Sequence, residues 1–272
     1  ASQDAGERVL SWLSRLDAHD RLIVLMSGGG SALMEVPKSG WSLQRLAEVR
    51  QSGLSAGWSI DRINKAAAQG SRLKDGGMAR HCPCPWVQFT LSDVSDLPLG
   101  LVSSGPFTGL SGTSLRLGDH RLAADAAANW LEAQGWRVVR GPLLAGEAMR
   151  YGSLMKPVAP GSALVCSGET TVTGPYHGLG GRNLELVGGW LLQPALRAPW
   201  ALVAAASDGC DGSSESSGAW ARRGDEDGLE DLRAQLMQHD TASWFRARGR
   251  LLPKHPPQTH VGDLMVLLVG KP

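Results

Sequence analysis

Arg182 follows the glycine-rich run Gly178-Leu-Gly-Gly181 and opens a predicted helix through Leu192. A cation in a first helical turn faces the positive end of the macrodipole, a cost of roughly 0.3–1 kcal/mol unless an anion is held there too. Its guanidinium suits bidentate contact with phosphate or carboxylate; pairing with Glu185 or with solvent is the alternative. Four apolar runs end in small polar residues: Ser27-Gly28-Gly29-Gly30-Ser31, Ser92-Asp93, Ser167-Gly168-Glu169, and Ser207-Asp208-Gly209-Cys210-Asp211. Three adjacent glycines let backbone N–H groups close around a small anion. The carboxylates Asp93, Glu169, Asp208 and Asp211 suit binding of Mg²⁺ or acceptance of a substrate proton. Neither standard glycine fingerprint fits, because no Lys follows at phosphate-loop spacing and Leu33 stands where G-x-G-x-x-G would close.

These endings need parallel strands to bring them to one edge. Residues 22–26, 87–94, 163–169, 201–206 and 264–269 read as buried strands, and 136–140 as another after a Gly135 helix stop. Between them, helices are predicted over 6–19, from Ser42 to about Ser52, from Ser59 or Asp61 to Leu73, over 121–134 and over 142–156. Alternating strands and helices predict an α/β architecture with a mainly parallel, Rossmann-like sheet flanked by helices and a second, smaller α/β domain. The Ala-Pro-Gly run at 159–161 is the expected linker, giving domains 1–158 and 159–272. Such sheets bind ligands at the carboxyl ends of their strands.

Composition narrows the class. The 272 residues are 42% hydrophobic and 19% charged, with a formal net charge of +1. That balance gives no footprint for nucleic acid or an anionic membrane surface. Four cysteines make no disulfide framework at this length, and the usage suits a reducing cytoplasm. No long apolar span or cleavable signal pattern is present. Ala1 is not an initiator Met, which leaves room for an upstream segment. Gly53-Leu-Ser-Ala-Gly57 spells a nucleophile elbow, but it follows a helical stretch, so Ser55 is assigned a structural role.

The blocks Leu25–Leu33, Ile60–Asn64, Lys74 with Gly76-Gly77, Leu91–Val94, Ser104–Pro106, Ser167–Val172, Gly180–Asn183 and Ser207–Gly212 resemble, in order, the type-2 glycerate kinases with a C-terminal MOFRL domain. The resemblance implies two α/β domains and phosphoryl transfer from ATP, with Mg²⁺, to the 2-hydroxyl of D-glycerate or a similar small hydroxy acid. It implies a catalytic role for Arg182 and a substrate- or phosphate-facing glycine loop at Gly28, Gly29 and Gly30; on this reading Asp93 or Asp208 orients the hydroxyl or holds the metal, with Asp93 assigned beside Arg182 as catalytic, and Ser27, Ser31, Lys74, Glu169 and Asn183 are expected to contact substrate or phosphate. Asp208 and Asp211 are the expected metal ligands. A homodimer remains open. The chain departs from the family where Ala67-Ala68-Gln69 replaces a basic run and Lys254–His260 replaces a glycine- and threonine-rich loop; no block matches the family's N-terminal Gly-Lys-Ala section. The alternative expectation is a relative that binds a small ligand or a partner chain without turnover. Hydroxypyruvate reduction, a label attached to the family, lacks its dinucleotide fingerprint here.

Overall fold

The structure is a computed structural model and describes residues 1–92, 98–109, 112–174, 178–193, 196–256 and 259–270. It divides into two compact units, Ala1–Leu117 and Gly118–Pro272. The expected boundary at 159–161 therefore falls inside the second unit. The physical reason is strand pairing: residues 137–140 form a strand hydrogen-bonded in parallel to 162–165, which ties the segment before the Ala-Pro-Gly run to the sheet after it.

The first unit runs α1 (Ser2–Leu13), β1 (Leu22–Met26), α2 (Gly30–Leu33), α3 (Leu43–Ser55), α4 (Ile60–Gln69), α5 (Gly77–Arg80), β2 (Trp86–Ser92) and β3 (Gly112–Asp119), whose end lies at the division. The sheet order is β1-β2-β3, with β1 and β2 parallel and Met26 opposite Thr90. The carboxyl ends of β1 and β2 thus share an edge, as expected. Ser42 and Ser59 cap α3 and α4 by accepting from Arg45 N–H and Arg62 N–H. α4 stops at Gln69 rather than Leu73, because Gly70 ends it and Ser71 turns back to pair with Pro37. The core gathers Leu10, Leu13, Leu73, Met78, Trp86 and Phe107. The β1 run is covered on one face only: Ile23 and Leu25 are 67% and 77% exposed.

The second unit runs α6 (His120–Ala133), β4 (Arg137–Arg140), α7 (Ala148–Leu154), β5 (Ser162–Gly168), α8 (Arg182–Leu191), β6 (Trp200–Ala206), β7 (Ser216–Arg222), α9 (Leu229–Met237), α10 (Thr241–Ala247), β8 (Leu251–Pro253) and β9 (Asp263–Val269). Its sheet order is β4-β5-β9-β6-β7-β8. This sheet is mixed rather than mainly parallel: β4 and β5 pair in parallel, β9 inserts antiparallel between β5 and β6, and β7 and β8 follow antiparallel on the far side of β6. The insertion still leaves β5 and β6 parallel to each other, and both end against the first residue of β9: Gly168 and Ala206 each face Asp263. One sheet face packs against α7 and α8, with Leu184, Leu186, Val187, Leu202, Met265 and Leu267 in the core. On the other, Ala128 and Leu131 of α6 meet Ala163 and Val165.

α8 is buried from Asn183 to Leu191. It packs tightly on α7 through glycine. A Cβ at Gly189 would run into Met149 O, and one at Gly152 into Leu186 O.

Candidate functional site

In the second unit the chain ends of β5 and β6, the start of β9 and the start of α8 meet around Arg182. Its Nε and Nη2 donate to Asp263 Oδ2 and Oδ1 at 2.5 and 2.9 Å, and its Nη1 donates to Glu169 Oε1 at 2.5 Å. The fork is thus braced by a bidentate carboxylate on one edge and a second carboxylate on the other. Asp263 is buried, whereas the Glu169 side chain is 42% exposed. Burial works against the Arg182 charge, yet Asp263 and then Glu169 hold its pKa above the ordinary arginine value. Burial also pushes the Asp263 pKa up, against the opposing pull of Arg182. Glu185, the partner weighed from sequence, instead meets His239, with Nδ1 2.8 Å from Oε1.

The start of α8 acquires its anion from a loop that is distant in sequence. Asp211 Oδ1 accepts from Asn183 N–H at 3.1 Å and from Asn183 Nδ2 at 3.2 Å, and Oδ2 accepts from Leu184 N–H at 3.0 Å. Asp211 therefore caps a helix that carries no capping side chain of its own at Gly181. Burial pushes its pKa up to about 6, opposed by those N–H donors. Of the two expected metal ligands, Asp211 has both oxygens engaged in this cap, and Asp208 accepts from Cys210 N–H at 3.1 Å while facing Asp263 electrostatically. Among the described residues no group of three or more His, Cys, Asp or Glu is arranged to hold a metal ion. Asn183 is buried, with its amide on Asp211.

A cavity of about 440 Å³ opens here, lined by Glu169, Thr171, Gly181, Arg182, Glu185 and His239 among others. It lies at the carboxyl end of β5 and the amino end of α8, where an α/β sheet offers its ligand crevice.

In the first unit the triglycine turn follows β1 as expected. Gly29 is left-handed at φ +77, and space above it is open, since a Cβ there would meet nothing within 4 Å. Ser27 is exposed, and its carbonyl accepts from Ser103 Oγ at 2.5 Å. Gly28 and Gly30 are half-buried, and Ser31 lies in α2. Ser103, Ser104 and Gly105 are left-handed in succession, at φ +55, +63 and +62. This turn is tied to the Lys74 segment by Asp75 N–H to Ser104 O and Gly76 N–H to Gly105 O. Lys74 itself is only 2% exposed, with Nζ 2.8 Å from Glu35 Oε2. Its ammonium is engaged inside the unit, and burial lowers its pKa. It still lines a small void with Met26, Gly30 and Ser103. Asp93 lies outside the described residues.

The structure therefore brings Arg182, Glu169, Asn183, Asp208 and Asp211 together in the second unit, and Ser27, Gly30 and Lys74 in the first. Sequence reasoning missed Asp263, whose signal was an acid placed directly before the last apolar run, and Glu35. It also missed His239, which follows α9 with no periodic pattern to mark it.

Residues 1–116 match the family model described as a domain of unknown function, DUF4147, and residues 162–263 match the MOFRL family. The D-glycerate 2-kinase of Thermotoga maritima is 29% identical over 96% of this chain and 75% of its own. An Agrobacterium vitis protein whose name proposes hydroxypyruvate reductase activity is 28% identical, over 98% and 74% respectively. The crystal structure of a Thermotoga maritima glycerate kinase superposes with a TM-score of 0.91 at 24% identity, covering 98% of this chain and 77% of that one.

Proposed function

The chain belongs to the glycerate 2-kinase family, as a DUF4147 domain followed by a MOFRL domain, and we propose that it transfers a phosphoryl group from ATP, delivered with Mg²⁺, to the 2-hydroxyl of D-glycerate or a similar small hydroxy acid. The observation that carries this reading is the braced guanidinium of Arg182 lining a cavity at the carboxyl end of β5. Phosphoryl transfer asks a protein mainly for positioning and for positive charge where the transferring group develops its negative charge. Asp263 fixes the Nε–Nη2 edge of the fork, so the rotamer of a long side chain is set before substrate arrives. The Nη1 edge, held by the more exposed Glu169, is the one a phosphoryl oxygen can meet when that carboxylate moves aside.

Mg²⁺ keeps several waters and needs only one or two protein carboxylates beside substrate phosphates. Asp208, half-buried and next to Asp263, suits that role better than Asp211, whose oxygens cap α8. A cation held there would add positive charge where, among the described residues, Glu169, Asp208 and Asp263 outnumber Arg182. In the first unit, the open backbone at Gly29 and the adjoining left-handed turn at Ser103–Gly105 suit contact with a small anion.

ADP release, followed in the presence and absence of D-glycerate and repeated with Arg182→Ala, tests this. Release that depends on glycerate and falls by about 10³-fold in the variant is expected. Thermal stabilisation by glycerate or ATP with no ADP formed would assign the chain to ligand binding without turnover.

A further inference from the structure

The second unit holds a larger cavity, about 770 Å³, lined by β4, α7 and the segments that follow each. Its walls are apolar: Val139, Tyr151, Leu154, Met155, Val158 and Leu164. Val139 and Leu154 remain 42% and 66% exposed. Their apolar surface therefore gathers round one concavity open to water, whereas exposed apolar side chains scattered singly need no explanation. A cavity of this volume and lining suits a small organic ligand. It shares no lining residue with the cavity at Arg182. The run 141–147 lies between the two in the hydrogen-bond pattern. Pro142, Gly146 and Glu147 of that run line the larger cavity. The same run is laced to β5 and the residues after it by Leu144 N–H to Ser167 O at 2.9 Å, Glu169 N–H to Leu144 O at 2.8 Å and Thr171 N–H to Gly146 O at 2.8 Å. Tyr151 Oη donates to Pro142 O at 3.1 Å and fastens the run to α7.

Four charged side chains line this cavity, and two of them are already engaged. Arg140 is paired with Asp125 and Glu132. Glu147 accepts from the hydroxyls of Thr171 and Thr173. Arg150, in the first turn of α7, and Lys156, two residues past its end, make no side-chain hydrogen bond or ion pair among the described residues. The cavity thus joins apolar walls to two cations without a counter-charge. A ligand that meets both features carries an acid on an apolar body: the body leaves water against the walls, and the acid accepts from guanidinium or ammonium. A neutral apolar molecule forgoes the charge, and a sugar phosphate forgoes the walls. We propose that this cavity is a second ligand site, which takes a carboxylate borne on an apolar chain of medium length. The site stands independently of the kinase reading above.

Isothermal titration calorimetry of the full chain with octanoate, and with its neutral counterpart octanamide, tests this beside hydrogen exchange read by mass spectrometry. Octanoate is expected to bind about tenfold more tightly than octanamide and to slow exchange within 141–158. Arg150→Ala combined with Lys156→Ala changes two exposed side chains, which the fold tolerates, and should bring the two ligands to equal affinity. Leu154→Gln removes wall without removing charge, so it should weaken both ligands by the same factor. Equal affinity for the two ligands in wild type, or an octanoate affinity that the double variant leaves unchanged, would overturn the site. No heat from octanoate up to about 10 mM would do the same. So would slowed exchange confined to 169–182, which would place the carboxylate on Arg182. None of these measurements uses ATP or glycerate, so a failure here leaves the kinase reading standing, and a chain without kinase activity leaves this site standing.

Discussion

At the scale of single residues, the site is built from buried carboxylates that each do a definite job. Asp263 braces Arg182, and Asp211 caps α8. Removing the cation with Arg182→Ala leaves Asp263 buried without its partner, so the variant should lose about 3 kcal/mol of stability along with activity, read by urea unfolding. Asp211 makes a pH-dependent contribution with a definite sign. Its folded pKa is raised from the ordinary 3.8 to about 6, so the folded chain binds that proton more tightly than the unfolded chain. The stability it contributes is complete below about 3.8 and is lost as pH rises through about 6. Asp211→Asn cannot titrate. Relative to the variant, wild type should therefore weaken by about 2 kcal/mol between pH 4 and 7; a difference that stays flat across that range would show that Asp211 is not buried as described. Sequence alone marked Glu169, Asp208 and Asp211 because small and acidic residues ended apolar runs, and Arg182 because it opens a helix directly after a glycine-rich run. It did not reveal their partners. Asp263 lies 81 residues from Arg182, and only the register of β9 between β5 and β6 brings them together.

At the scale of elements, glycines set the distance between α7 and α8 and, through it, the position of Arg182. Because a Cβ at Gly189 would collide with backbone of α7 rather than with a flexible side chain, Gly189→Ala should destabilise the chain by about 2–3 kcal/mol. Chemical denaturation reads this; an unchanged midpoint would mean that the helices separate freely. Gly181→Ala acts on the site itself, since its Cβ would displace the Asp211 carboxylate from the amino end of α8. The Ser42 and Ser59 caps and the α8 start were legible from local chemistry, because a cap depends on residues three positions apart. The antiparallel entry of β9 was not. An apolar run carries no mark of its direction relative to a strand a hundred residues earlier. β7 was missed for another reason: Ser216-Ser-Gly-Ala-Trp-Ala-Arg222 lacks the apolar alternation by which strands are recognised, and it is held by pairing with β6.

Across the whole chain, the alternation of apolar strands with helices carried the α/β class, while the division into units came from pairing that no composition shift marks. The Ala-Pro-Gly run looks like a linker, yet β4 before it pairs with β5 after it, and α6 packs on the face of that same sheet. Among the described residues no helix is long and apolar enough to cross a membrane. The proposed reaction requires Arg182 to stabilise the phosphoryl group on its way to glycerate. ³¹P NMR of D-glycerate with MgATP, run side by side with wild type and Arg182→Ala, tests it most directly. The resonance of 2-phosphoglycerate is expected to grow with wild type and about 10³-fold more slowly with the variant. Equal rates in the two, or no phosphoglycerate from either, would contradict it.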